Sequence, residues 1–77
     1  MSHRANKVLH AYAVMMFRRA HRDKAPGMPD VPYTVAFREA TTSTGYKKLQ
    51  DWYRALPHRE RGKALAKMKR ECNAVKA

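Results

Sequence analysis

Apolar residues recur at helical spacing along most of the chain, and the first such segment covers residues 2–23. Four of its apolar residues follow one another at intervals of four, three and four: Ala5, Leu9, Tyr12 and Met16. This spacing places them on one face of an α-helix, which Ser2 can cap. Val14 and Phe17 form a second apolar strip on the far side. The first helix is therefore predicted either to be buried on two sides or to present Phe17 to a partner.

Proline, glycine and hydroxyl residues divide the rest of the chain. The sequence PGMP predicts a loop over residues 25–30 that reverses the chain, because neither proline nor glycine continues a helix well. The sequence TTST predicts a second break at residues 41–44 with a hydroxyl N-cap, and Pro57 predicts a third. The helices between these breaks are predicted over residues 31–40, 45–56 and 58–75.

The segment YTVAF is ambiguous, because it is rich in β-forming residues. A strand here would have no second strand to pair with, so the preferred interpretation is a short helix with Asp30 as its cap and Pro32 in its first turn. With 77 residues, the chain is expected to form a single all-α domain, a small bundle of three to four helices. The expected core takes residues from all four helices: Leu9, Tyr12, Met16, Phe37, Leu49, Tyr53, Leu65 and Met68.

Charge is distributed unevenly along the sequence. Seventeen Lys and Arg residues oppose six Asp and Glu residues, which gives a net charge of +11. Residues 1–24 contain six cations and one anion (+5), residues 25–45 one and two (−1), and residues 46–77 ten and three (+7). An excess of cations at both ends indicates an anionic partner, either a nucleic acid or an acidic protein surface.

The last predicted helix has the most regular basic pattern. Four cations, which we call the basic stripe, follow one another at intervals of four, four and three: Arg59, Lys63, Lys67 and Arg70. They occupy one sector of about 80° and span about 16 Å of helix, comparable to several phosphates of one strand. Glu60 is the one acid expected close enough to offset their repulsion. The stripe is predicted to contact the anionic partner, and a solvated face without a partner is the alternative. A secondary set of contacts is predicted at Lys47, Lys48, Arg18 and Arg22.

Residues 32–51 resemble a helix-turn-helix, the motif in which a second helix enters the major groove of DNA. In this resemblance Ala36 is the small residue between the two helices, whereas Ala40 stands where glycine is usual and Glu39 where an apolar residue is usual. The resemblance implies five residues that would face the DNA groove: Thr42, Ser43, Thr44, Lys47 and Lys48. An ordinary helical hairpin with a polar corner is the alternative.

Residues with catalytic or metal-binding chemistry are scattered along the chain. His3, His10 and His21 share a helix face but are separated by about 10 and 16 Å, too far to bind one metal ion. Cys72 and His58 lie about 21 Å apart along one helix, which excludes a nucleophile–base pair. No enzymatic activity, catalytic residue, metal or cofactor is therefore predicted. A lone cysteine and the lack of a long apolar run favour a cytoplasmic or nucleoid-associated protein that makes no use of a membrane.

The leading functional hypothesis is a small basic nucleic-acid-binding protein, a regulator or architectural factor, with DNA favoured over RNA. The alternative is a protein-interaction module, such as a phage-type inhibitor or adaptor that docks on an acidic surface of a host protein. Phe17 and Trp52 are the candidate anchors of such a protein interface, because exposed aromatic residues often dominate its energetics. The oligomeric state does not follow from the sequence.

Overall fold

The computed structural model describes residues 3–29 and 31–76, and these residues form four α-helices. The helices are α1 (His3–Lys24), α2 (Tyr33–Thr41), α3 (Thr44–Ala55) and α4 (His58–Lys76). The fold is an all-α bundle, as predicted, and every helix boundary lies within two residues of its predicted position. The segment YTVAF belongs to α2, so the preferred helical interpretation is confirmed and the strand is excluded.

The larger core cluster joins the first half of α1 to α3 and α4. Its buried members come from all three helices: Ala5, Leu9, Tyr46, Tyr53 and Met68. Leu9 has 0% solvent exposure and is the largest side chain that is fully buried among the described residues. The predicted core residues Tyr12, Leu49 and Leu65 are half-buried around this cluster. Burial of one α1 face against two other helices therefore forms the larger of the two core clusters of the bundle.

A second cluster joins the other half of α1 to α2. Val14 packs against Ala36 and Ala40, whose small side chains let the two helices approach closely, and Phe17 packs at its edge. Val14 follows Leu9 by five residues, which is about 140° around the helix. α2 therefore covers a different face of α1 from the one that α3 and α4 cover, and this two-sided burial explains the second apolar strip.

Met16 is a predicted core residue that the fold leaves at the surface, with 42% of its area exposed. It shares a face with Leu9, but α3 and α4 cover that face along the first half of α1. In the second half, α2 covers the side of Val14 instead. The prediction that Met16 is buried is wrong, because spacing predicts the face on which a residue lies and not how far a neighbouring helix extends over that face.

The α1–α2 loop reverses the chain through a tight turn. The Met28 amide donates to the Ala25 carbonyl at 3.2 Å, and Gly27 follows Pro26 with a φ of +87°. Proline at the second position and glycine with positive φ at the third are typical of a type II turn. The predicted loop at residues 25–30 is thus held by its own backbone geometry.

The helix caps agree in part with those expected from the sequence. Ser43 is the N-cap of α3, and its hydroxyl oxygen accepts a hydrogen bond from the Tyr46 amide at 3.1 Å, so the predicted hydroxyl cap is present. Pro32 lies one position before α2 with an extended backbone (φ −54°, ψ 145°), not inside the first turn as predicted. The predicted caps Ser2 and Asp30 lie outside the described residues.

Arg61 of α4 fastens the connection between α3 and α4. Its guanidinium donates to the Arg54 carbonyl at 2.8 Å and to the Leu56 carbonyl at 3.2 Å, and it lies 5.7 Å from the centre of the Tyr53 ring. These carbonyls are at the C-terminal end of α3, where helical backbone acceptors have no partner within the helix. One half-buried side chain therefore holds the angle at which α4 leaves α3.

Replacing Arg61 with glutamine is expected to lower the free energy of unfolding by about 1–2 kcal/mol, because hydrogen bonds from charged donors contribute on that order. Arg59→Gln is the matched control, since Arg59 is an exposed arginine of the same helix and its loss removes the same charge. Urea denaturation of both variants measures the difference. Equal stability of the two variants would contradict the role assigned to Arg61.

Candidate functional site

The basic stripe lies on the exposed side of α4. All four of its residues are exposed: Arg59, Lys63, Lys67 and Arg70. Met68 and Cys72, on the opposite side of the same helix, are buried. The helix therefore presents a continuous row of cations to solvent over about 16 Å, while its opposite, apolar side packs against the rest of the bundle.

The first turns of α1 bring further cations beside α4. Arg4 and Lys7 line a shallow cleft of about 380 Å³ together with Lys69 and Asn73 of α4. Lys69 and Asn73 also border a depression with Arg70 of the stripe, so the positive surface continues from α4 onto α1. We call the stripe together with Arg4, Lys7 and Lys69 the basic surface. The basic composition of residues 1–24 indicated in the sequence that α1 could contribute to a positive surface. The packing of α1 against α4 brings these cations beside those of α4.

Arg18, a member of the predicted secondary set, is engaged inside the fold. Its guanidinium donates to the Val31 carbonyl at 3.0 Å and lies 5.7 Å from the centre of the Tyr33 ring. The residue is half-buried, and it ties the end of the α1–α2 loop to α1. Arg22 is exposed near the end of α1. Of these two arginines, Arg22 is therefore the one that is accessible to a binding partner.

The helix-turn-helix segment has its polar residues at the surface. The five that the resemblance directs to DNA are exposed: Thr42, Ser43, Thr44, Lys47 and Lys48. The hydroxyls of Thr41, Thr42 and Ser43 each donate to an α2 carbonyl at 2.7 Å. These hydroxyls are already hydrogen-bonded to carbonyls at the end of α2. The residues of this segment that are best placed to contact phosphate are therefore Lys47 and Lys48 on α3.

An apolar groove of about 450 Å³ runs beside the basic stripe, between α3 and α4. Its apolar lining comes from three helices and the residue after α3: Tyr12 of α1, Leu49 and Trp52 of α3, Leu56 just beyond α3, and Ala64 and Met68 of α4. We call it the α3–α4 groove. Trp52 is 50% exposed, so much of its indole surface faces solvent along the groove.

Charged residues of α4 line the same groove. Lys63 and Lys67 of the basic stripe border it, together with Glu60 and Glu71. Burial raises the pKa of the Tyr12 phenol above its ordinary value of 10.0, and the Glu71 carboxylate raises it further by its charge and by accepting a hydrogen bond. The Tyr12 hydroxyl is therefore a protonated donor at neutral pH. The sequence indicated Glu60 as the one acid near the stripe, and the fold adds Glu71.

The two aromatic residues predicted to anchor a protein interface lie in different surroundings. Trp52 lines the α3–α4 groove, whereas Phe17 is half-buried at the edge of the α1–α2 cluster beside Val14. The fold does not bring the two side chains to one site. Trp52 is accordingly the aromatic residue that accompanies the basic stripe.

The histidines do not converge on a metal site. No group of three or more His, Cys, Asp or Glu side chains within residues 3–29 and 31–76 is arranged to hold a metal ion. The His10 ring instead lies 5.3 Å from both the Phe37 ring and the Tyr46 ring, where it links α2 and α3 to α1.

In the described part of the chain, no helix is long and apolar enough to cross a membrane.

The fold and its surface define a small all-α bundle with an exposed basic surface and an adjoining apolar groove. No protein-family model matches this chain, and no curated protein or solved structure matches it either. The functional argument therefore depends on the charge, exposure and geometry of the described residues.

Proposed function

We propose that this protein binds nucleic acid through the phosphate backbone, as a small regulator or architectural factor. The observation that carries the proposal is the basic surface, whose seven exposed cations come from two helices: Arg4, Lys7, Arg59, Lys63, Lys67, Lys69 and Arg70. Like charges that lie close together reduce the stability of the fold. A surface that keeps them together is typical of proteins that neutralise phosphates.

The mechanism of binding is electrostatic. Each lysine or arginine that pairs with a phosphate releases a condensed counterion, so the affinity depends steeply on salt concentration. The stripe follows one strand over about 16 Å, and the α1 cations widen the contact beyond a single row. Lys47 and Lys48 on α3 form the secondary set, whereas Arg18 is left out because it holds the α1–α2 loop.

A docking module for an acidic protein is the second candidate. A row of cations attracts carboxylates as well as phosphates, and the half-exposed Trp52 beside the stripe is the observation that favours this candidate. Tryptophan is enriched among the residues that dominate protein interfaces. The two candidates predict different relative affinities of the protein for a nucleic acid and for an acidic polypeptide of equal charge.

A salt titration of binding tests the proposal. Fluorescence anisotropy is measured with labelled duplex DNA, single-stranded DNA and RNA of one length, DNA being the first choice. Four phosphate contacts on the stripe predict a plot of log affinity against log salt with a slope of about −3 to −4 for duplex DNA. Polyglutamate of matched charge is the control. Affinity for polyglutamate equal to or above that for every nucleic acid would contradict nucleic-acid binding and favour the acidic-protein candidate.

A further inference from the structure

The half-exposed Trp52 lies in an apolar groove immediately beside a row of cations. An exposed tryptophan next to lysines is the combination that single-strand-binding proteins use, because bases stack on the ring while cations neutralise the backbone. We propose that the α3–α4 groove holds an unpaired base of single-stranded nucleic acid against Trp52, with Lys63 and Lys67 on the adjoining phosphates. This inference rests on the proposed function and specifies that the α3–α4 groove recognises single-stranded nucleic acid.

The walls of the groove suit a flat aromatic ligand. Leu49 lies about one turn before Trp52 on α3, Leu56 follows the end of that helix, and Ala64 and Met68 provide an apolar wall on α4. The volume of about 450 Å³ lies within the range of roughly 300–1,000 Å³ that is usual for small-ligand clefts. A base in a duplex cannot reach this surface, because both of its faces are already stacked on neighbouring bases.

The cations are spaced to hold the backbone next to a stacked base. Lys63 and Lys67 are one turn apart, about 6 Å along α4, which corresponds to about two nucleotides of a stacked strand. Lys48 lies one turn before Trp52 on α3 and is exposed, although it does not line the groove itself. Lys63 and Lys67 belong to the basic surface that is proposed to bind the phosphate backbone, and Lys48 belongs to the secondary set.

The carboxylates of the groove are compatible with a base as its occupant, and the net charge of the chain disfavours a second copy of the chain there. Glu60 and Glu71 offer acceptors to the exocyclic amino groups of bases, a pairing that carboxylates make with cytosine. A second copy would bring another net charge of +11 to a surface already rich in lysine, and the two would repel each other. An amphipathic peptide is the occupant that the test must distinguish.

Trp52 is the single tryptophan of the chain, so its fluorescence reports on the groove directly. The test titrates the protein at low salt with a mixed-sequence DNA strand lacking self-complementarity, and with the same strand annealed to its complement. The single strand is expected to quench Trp52 emission and the duplex is not. Trp52→Leu is expected to weaken single-strand binding by roughly 5- to 150-fold and duplex binding by much less, as measured by anisotropy.

Tyr33→Leu is the matched control, because Tyr33 is an exposed aromatic residue (56%) on α2, away from the groove. This variant is expected to bind the single strand like the parent.

The base site is overturned, while the proposed function stands, if three results occur together: both DNA forms bind equally, Trp52 emission is unchanged, and Trp52→Leu binds like the parent. If neither DNA form nor RNA binds at low salt, the proposed function fails and the inference fails with it. A groove occupied by an amphipathic peptide that quenches Trp52, with no quenching by single strands, would also overturn the base site.

Discussion

Replacing Leu9 with alanine is expected to leave most molecules unfolded at room temperature. Leu9 is fully buried where α1 meets α3 and α4, so its truncation leaves a cavity and costs about 2–5 kcal/mol. A core of this size rarely supplies more than about 3–5 kcal/mol in total. Because the repulsion of a net charge of +11 reduces that margin further, the variant is expected to lose its cooperative thermal transition in circular dichroism.

Met16→Ala is the matched control for this prediction. Met16 lies on the same face of the same helix but is 42% exposed, and surface substitutions usually change stability by less than about 0.5 kcal/mol. Leu49→Ala and Leu65→Ala are expected to fall between the two, because both side chains are half-buried. A Leu9→Ala variant that melts like the parent would contradict the three-helix cluster as the main core.

Replacing both Lys63 and Lys67 with glutamine is expected to flatten the salt dependence of nucleic-acid binding. Each lost phosphate contact lowers the slope of log affinity against log salt by about 0.9, so the double variant should lose about 2. The fold is expected to survive, since both residues are exposed and glutamine has a helix propensity close to that of lysine. Anisotropy with duplex DNA over a range of salt concentrations measures the slope.

Lys24→Gln with Arg38→Gln is the matched control for the stripe. Both residues are exposed, on α1 and α2, and their replacement removes the same two charges without touching α4. If this control flattens the slope as much as the stripe variant does, the net charge of the protein and not the stripe accounts for binding. If an acidic protein is the partner, the stripe variant is expected to associate more slowly with that protein instead.

The helices, the loop and the exposed stripe could be predicted from the sequence because they depend on local chemistry. The spacing of Leu9 from Tyr12 and of Leu49 from Tyr53 specifies helix faces, and the glycine and prolines near Gly27 specify where the first helix ends. The exposure of the basic stripe follows from the same periodicity, since the side of α4 opposite its apolar residues is left to solvent. These features need no knowledge of how the helices pack.

Roles that depend on residues distant in sequence could not be predicted in this way. Arg18 and Arg61 resemble the other arginines of the chain in sequence, yet both donate to loop or helix-end carbonyls. Met16 has the spacing of a core residue, yet 42% of its area is exposed. Periodicity contains no information on which carbonyl, or which helix, stands opposite a given side chain.

The sequence by itself determined four helices, their polar and apolar faces, and a basic stripe on the last of them. The tertiary structure decided that α1 is buried on two sides, that Arg4 and Lys7 of α1 lie beside Lys69 of α4, and that Trp52 of α3 faces Lys63 across a groove. The physical reason is the range of the interactions. Helix formation and amphipathicity act over three to four residues. The basic surface instead arises from packing of α1 against α4, where Lys7 and Lys69 are 62 positions apart in the chain. The groove likewise joins Trp52 of α3 to Lys63 of α4, which are 11 positions apart.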